Sequence, residues 1–148
     1  MAKKQLINHL RAAKAAHIKW RSYAQALVAG LPLDEGQVPV VHTDCAFGKW
    51  YYGAGQRLSS LPAFNAIGIP HERLHAIYME IFKLLFETEE TGFFSKLIGA
   101  SKRQNQKSDR IDVLLGSLLD MSKTLLDAIE LLERDLLALG DGEVAALI

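Results

Sequence analysis

The sequence predicts an all-α protein, an antiparallel four-helix bundle with short additional helical segments. Apolar residues recur every three or four positions through most of its 148 residues, and strand-like alternation is nearly absent. Short stretches rich in proline or glycine separate these periodic segments. Four helices joined by short loops pack most readily as a bundle. The chain is long enough to bury a core, and we expect residues 1–148 to form a single domain.

The first helix is predicted from its apolar stripe. Gly30-Leu31-Pro32 ends this helix, since glycine and proline do not continue it. The stretch 31–41 carries two prolines and a glycine, which predicts a connecting loop, although its three valines could make a short extended piece. The inward positions of the helix are Leu6, Leu10, Ala13, His17, Trp20, Ala24 and Leu27.

Two helices are predicted in the middle of the chain. The shorter one starts near Thr43 or Asp44, because either side chain can cap a helix, and it carries Cys45. The longer one runs from about His71 to Glu90, and Pro70 suits its first turn. The inward positions of the longer helix are Leu74, Ile77, Tyr78, Ile81, Phe82 and Leu85.

The last helix, about residues 109–139, is predicted from the longest heptad-like run in the chain. Ser108 or Asp109 can cap its start, and Gly140-Asp141-Gly142 ends it. Before it, residues 93–99 form a short amphipathic patch. The predicted apolar stripe of the last helix consists of Ile111, Leu115, Leu118, Ser122, Leu125, Ile129, Leu132, Leu136 and Leu139.

Composition and charge exclude several classes of function. Lysine plus arginine equals aspartate plus glutamate, 17 of each, so we expect no nucleic-acid partner. The basic cluster at 102–107 is interpreted as a solvated loop. No apolar stretch is long enough to span a membrane, and the N-terminus lacks the apolar run of a signal peptide, so we expect a cytoplasmic protein without direct membrane insertion. The single cysteine excludes an intrachain disulfide.

Three histidines and the cysteine form the candidate metal site. His71 and His75 are four residues apart on a predicted helix, which places both rings on one face, and the neighbouring Leu74 indicates that this face points inward. His17 occupies an inward position of the first helix, where a hydrogen-bonded core histidine is the alternative. Taken alone, Cys45 is interpreted as a small hydrophobic residue. With the three histidines it completes the closed nitrogen-and-sulfur set that tetrahedral zinc prefers.

Three further polar residues near these positions receive structural interpretations. His9 and His42 are interpreted as surface residues, with His42 a minor candidate for a substitute ligand. Asp44, next to Cys45, is interpreted as a helix cap. Its alternative role is to orient a ligand or tune the sulfur.

Two other metal chemistries share residues with this site. His71-Glu72-Arg73-Leu74-His75 matches the H-E-x-x-H signature of zinc metallopeptidases, in which the glutamate is the general base. Such enzymes keep an open coordination position for water, whereas this chain supplies ligands that close the site. Glu72 is therefore interpreted as a solvated first-turn acid, and peptidase activity is a remote alternative. A di-iron bundle ranks last, because it requires a second Glu-x-x-His pair that the chain does not supply.

Together these motifs resemble the chemoreceptor zinc-binding domain family of bacteria. The matching residues are His17, the run Cys45-Ala46-Phe47-Gly48-Lys49-Trp50, and the pair His71 and His75, within about residues 17–78. The resemblance implies a helical bundle that holds zinc on three histidines and the cysteine and is often dimeric. It also implies regulation of chemoreceptors or diguanylate cyclases in response to zinc or to oxidants such as hypochlorous acid.

The chain is therefore predicted to be a non-enzymatic zinc sensor. The expected partners are a second copy of the chain, as a homodimer, and a chemoreceptor or cyclic-dinucleotide signalling protein. The signal is either zinc occupancy, which orders the helices, or oxidation of the zinc-bound Cys45 to a sulfenic acid. The alternative is a structural or adaptor module in which zinc is permanently bound and only stabilises the fold. In that case the 111–139 stripe is the surface that binds a partner.

Overall fold

The computed structural model describes residues 2–86 and 100–147, and within these ranges every regular element is a helix. This confirms the all-helical class. Three helices are long and three are short, so the described elements do not single out a four-helix bundle, which stays a prediction. Single 3-10 turns lie at Glu35–Gln37 and Ala54–Leu58. The helices are α1 (Ala2–Val28), α2 (Ala46–Tyr52), α3 (Pro62–Asn65), α4 (Gly68–Phe86), α5 (Ala100–Ala138) and α6 (Asp141–Leu147).

Helix α1 follows its predicted stripe, since every predicted inward residue is buried. A Schellman motif ends it. The backbone N–H of Gly30 bonds to the Leu27 carbonyl at 3.1 Å, and that of Leu31 to the Ala26 carbonyl at 3.0 Å. Gly30 has φ 84°, a conformation that glycine adopts without steric cost. The loop that follows contains a 3-10 turn at Glu35–Gln37, and its three valines form no strand.

Helix α2 is capped by Cys45 itself, so the prediction of a cap at Thr43 or Asp44 was wrong. The backbone of Cys45 is extended, and its sulfur accepts a hydrogen bond from the Gly48 N–H at 3.2 Å. Asp44 lies one residue too early to cap the helix, and its own N–H bonds to the Val41 carbonyl in a turn. The cysteine therefore occupies the position that Asp or Thr usually takes.

Helix α4 begins at Gly68, slightly before the predicted start at His71, and its described part ends at Phe86. Leu74, Tyr78 and Ile81 are fully buried, as predicted from their spacing. The last predicted turn, to Glu90, lies outside the described residues, as does the amphipathic patch at 93–99.

Helix α5 begins at Ala100, so the predicted start near Ser108 or Asp109 was wrong. The basic cluster at 102–107 is helical and not a loop. Lysine, arginine and glutamine are good helix formers, so a run of them extends a helix without needing an apolar stripe. Leu114, not Leu115, lies in the buried seam. The seam consists of Ile111, Leu114, Leu118, Ser122, Leu125, Ile129, Leu132 and Leu136, spaced by three and four residues.

The long helix α5 packs along both α1 and α4. It runs antiparallel to α1, because Lys3 near the start of α1 bonds to the Leu137 carbonyl, while His17 farther along bonds to Ser122. The short helices cover the remaining sides, α2 and α6 against α1 and α3 against α5. None of the described helices combines the length and the apolar character needed to cross a membrane.

Candidate metal centre

The four predicted ligands come from three helices and are all buried. His17 lies in α1, Cys45 caps α2, and His71 and His75 lie one turn apart in α4. The structure brings three of them together: one ligand atom each from Cys45, His71 and His75 lie within 4.8 Å of one another. The Cys45 Sγ is 3.3 Å from the His71 Nε2, and the two α4 rings are 4.8 Å apart between centroids.

The sulfur of Cys45 is positioned by a close approach of the backbone. A Cβ atom on residue 48 would lie 1.8 Å from the His42 carbonyl oxygen, so only glycine fits there. This fit lets the Gly48 N–H reach the sulfur. Burial raises the pKa of the Cys45 thiol, the neighbouring backbone N–H groups oppose that shift, and the charge of Asp44 adds to it. A bound dication reverses this balance, because a coordinating thiol loses its proton.

His75 is oriented by the loop between α1 and α2. Its Nδ1 lies 2.8 Å from the Val40 carbonyl oxygen, which can only accept, so Nδ1 carries the proton and Nε2 keeps the lone pair. The loop is held in turn by Trp20, whose Nε1 donates to the Pro39 carbonyl at 3.0 Å. Such a partner behind a histidine fixes its tautomer for metal binding. Sequence reasoning missed this role of Val40, because a backbone carbonyl leaves no sequence signature.

His71 is poorly satisfied as a hydrogen-bonding group. Its Nε2 has the Cys45 sulfur beside it, a weak hydrogen-bonding atom. Its Nδ1 is buried and has no hydrogen-bond partner among the described residues. The Phe47 ring packs 4.9 Å from its ring and keeps water away. An unsatisfied buried nitrogen costs stability. A metal shared with the Cys45 sulfur would replace the weak sulfur contact at Nε2 with a strong bond.

His17 lies beside the group but outside it. Its Nε2 is 2.9 Å from the Ser122 Oγ on α5, and the same oxygen accepts a hydrogen bond from Arg21 at 3.3 Å. The ring of His17 stacks near that of Trp20. The structure thus gives His17 a hydrogen-bonded core partner. Sequence reasoning placed Ser122 in the stripe but did not identify it as the partner of His17. A single polar residue in a stripe of leucine and isoleucine was the signal that could have indicated this role.

The three histidines are neutral at pH 7. The pKa of His17 is lowered to about 4, that of His71 to about 3 and that of His75 to about 4. Burial is the largest cause for each. Arg21 adds to it at His17, and the neighbouring rings add to it at His71. Neutral imidazoles present the lone pairs that bind metals. Nitrogen and sulfur donors suit zinc, whereas calcium and magnesium prefer oxygen.

The polar residues around the group differ in exposure. His9 is exposed, as predicted. His42 is only half-buried, with 35% of its side chain exposed, and is not part of the metal group. Glu72 is 55% exposed, as predicted, and accepts a hydrogen bond from the Tyr52 hydroxyl. Its predicted place in the first turn was wrong, because α4 starts at Gly68 and Glu72 lies in the second turn. Burial, and next the charge of Glu72, raise the pKa of Tyr52 to about 12.

Comparison with known protein families gave a match within the candidate site's part of the chain. Residues 17–82 match the family model of the chemoreceptor zinc-binding domain. The matched range contains all four predicted ligands, and it confirms the resemblance drawn from the motifs. The comparisons with curated proteins and with solved structures gave no match. The donor set at Cys45, His71 and His75 fits the zinc that this family binds.

Proposed function

We propose that this chain, whose residues 17–82 match the family model of the chemoreceptor zinc-binding domain, is a sensory domain that holds one zinc ion on His17, Cys45, His71 and His75. The observation that carries the proposal is the buried convergence of one sulfur and two imidazoles within 4.8 Å. Such a set satisfies three positions of a tetrahedral zinc site. The proposal adds His17 as the fourth ligand and a regulatory role.

The case for His17 as the fourth ligand is its position and its chemistry. It is buried and neutral, and His75 lies near enough to contribute to its lowered pKa, after burial and Arg21. Its ring packs against Phe47, which also packs against His71. A structural zinc site is closed by four protein ligands, and among the described residues this histidine completes the set that the family resemblance implies.

The zinc-binding residues themselves would detect the signal, in one of two modes. Zinc, when bound, keeps the Cys45 sulfur in its thiolate form. In one mode, occupancy draws α1, α2 and α4 together, so zinc concentration is the signal. In the other, hypochlorous acid transfers an oxygen to the Cys45 thiolate, which yields a sulfenic acid and releases chloride, and the sulfur binds metal less well. Cys45 is only 4% exposed, so this mode requires a small oxidant.

The partners follow from the same proposal. We expect a homodimer that signals to a chemoreceptor or a cyclic-dinucleotide signalling protein. The competing proposal is an adaptor module with a permanently bound structural zinc. Its docking surface would be the exposed side of α5, because the stripe predicted as the working surface is buried inside the chain. The two differ in zinc affinity, because a sensor must release zinc or its cysteine under accessible conditions. Size-exclusion chromatography with light scattering tests the dimer.

The first experiment is elemental analysis of tag-free protein. We expect close to one zinc per chain in the wild type and a clear reduction in Cys45→Ser, His75→Ala and His17→Ala. His9→Ala is the matched control, because His9 is exposed and distant from the group, and it should keep the wild-type content. Loss of zinc in the first two variants but not in His17→Ala would restrict the site to three protein ligands. Equal zinc in all five proteins would overturn the metal site altogether.

A further inference from the structure

The contact between His17 and Ser122 links a residue beside the metal group to the middle of α5. Ser122 is fully buried in the α5 seam, where every other seam position is aliphatic. Its Oγ has two neighbours, the His17 Nε2 at 2.9 Å and the Arg21 guanidinium at 3.3 Å. A buried hydroxyl needs its partners, so these two contacts decide where its proton points.

The donors around Ser122 assign the tautomer of His17. Arg21 can only donate, so the serine oxygen accepts from it. Ser22 and Thr124 each donate to the carbonyl four residues earlier, whereas Ser122 makes no such bond. The acceptor left for the Ser122 proton is therefore the His17 Nε2. In a neutral imidazole with an accepting Nε2, the proton sits on Nδ1, and this assignment rests on the donors and not on an observed hydrogen.

It follows that the single available lone pair of His17, on Nε2, can either accept the Ser122 hydrogen bond or bind zinc, but not both. The Nε2 atom is the only nitrogen of this tautomer that can bind a cation, and it already accepts a hydrogen bond from Ser122. A metal that takes this lone pair removes the acceptor of a fully buried hydroxyl. The hydroxyl must then turn to another acceptor, of which the Leu118 carbonyl, one turn earlier in α5, is the ordinary choice for a helical serine.

We propose that Ser122 and zinc compete for the Nε2 lone pair of His17, and that this exchange transmits the state of the metal centre to α5. The proposal rests on His17 being the fourth zinc ligand. Bonds from a serine to the carbonyl four residues earlier bend helices slightly. The exchange thus acts on α5 near residues 118–122, inside the seam that packs along α1 and α4. In this role Ser122 is a positioning residue and not a ligand.

The test compares Ser122→Ala with Ser117→Ala in the full chain. Ser117 is exposed on the same helix, so its change removes an equivalent hydroxyl without touching the site. Competition with a chelator measures zinc affinity. We expect Ser122→Ala to bind zinc about three- to tenfold more tightly, the range of one net hydrogen bond. Ser117→Ala and Ser122→Thr, which keeps a hydroxyl, should match the wild type. Unchanged or weaker affinity in Ser122→Ala would overturn the competition.

Two further readouts separate this role from a merely structural one. In imidazole ¹⁵N spectra, the His17 Nδ1 should carry the proton without zinc, and its Nε2 should become the metal-bound nitrogen on zinc addition. Zinc should also change hydrogen exchange of amides around 118–122 in wild type and Ser117→Ala, but not in Ser122→Ala. A metal-bound Nδ1, or the same exchange response in all three proteins, contradicts the proposal. Zinc content unaffected by His17→Ala would instead refute the four-ligand site on which it rests.

Discussion

A single glycine decides where the sulfur of the candidate metal centre lies. The Gly48 backbone passes so close to the His42 carbonyl that no side chain fits between them, and this approach allows the Gly48 N–H to reach the Cys45 Sγ. A backbone N–H aimed at sulfur stabilises the thiolate that a metal requires. The glycine in the run from Cys45 to Trp50 is therefore a requirement of the site and not only of the helix.

Gly48→Ala is expected to destabilise the fold by about 3 kcal/mol or more, because the new methyl overlaps a backbone atom that cannot move alone. Zinc content should fall with it, since the sulfur loses its position. Urea denaturation and elemental analysis measure the two effects. Gly116→Ala is the control: nothing lies within 4 Å of its added Cβ, and alanine in a helix should stabilise by about 0.5–1 kcal/mol. Equal stabilities of the two variants would contradict this account.

The longest element, α5, holds the molecule together through its seam. Its buried side chains meet both α1 and α4, whereas residues between them on the helix are exposed or only partly buried. Leu132 is fully buried, and the adjacent Leu131 is 51% exposed. Adjacent leucines with opposite environments show that the three-and-four spacing, and not the count of apolar residues, determines what this helix buries.

Leu132→Ala is expected to cost about 2–5 kcal/mol of unfolding free energy, because it removes a buried side chain and leaves a cavity. Leu131→Ala provides the matched control, with an expected change within about 0.5–1 kcal/mol. Thermal and urea unfolding of both variants would measure the difference. A cost for Leu131→Ala as large as that for Leu132→Ala would show that the exposed side of α5 is covered in solution, as an adaptor surface would be.

For the molecule as a whole, three neutral histidines buried at one junction make folding depend on pH. The folded pKa values, about 4 for His17 and His75 and about 3 for His71, lie below the ordinary 6.5. The unfolded chain therefore binds more protons in that interval. The stability that these groups contribute is complete above about pH 6.5 and is lost as the pH falls toward about 4.

The zinc-free protein should accordingly lose stability steadily between about pH 6.5 and 4.5, before most carboxylates begin to take up protons. Bound zinc should raise stability at pH 7 and steepen the loss in acid, because protons compete for the same nitrogens. Urea midpoints across this range, with and without zinc, measure both effects. The His9→Gln variant should give the wild-type profile, since His9 is exposed. A flat profile in zinc-free protein would contradict the neutral buried histidines.

Much of the site was predictable because its signals are local. The four-residue spacing of His71 and His75 fixes two rings on one face of a helix, and the stripe of α1 shows that His17 points inward. The run from Cys45 to Trp50 carries the family resemblance that the match over 17–82 confirmed. Each of these features depends on residues within a few turns of one another.

By itself, the sequence determined the helical class, the α1 stripe, most of the α5 stripe, and the convergence of Cys45, His71 and His75 at the candidate metal centre. Only the tertiary structure decided that Cys45 caps its own helix, that the Val40 carbonyl orients His75, and that Ser122 holds His17. The physical reason is distance along the chain. Helical periodicity shows which side a residue faces, whereas a hydrogen-bond partner on another element is known only when the elements are packed together.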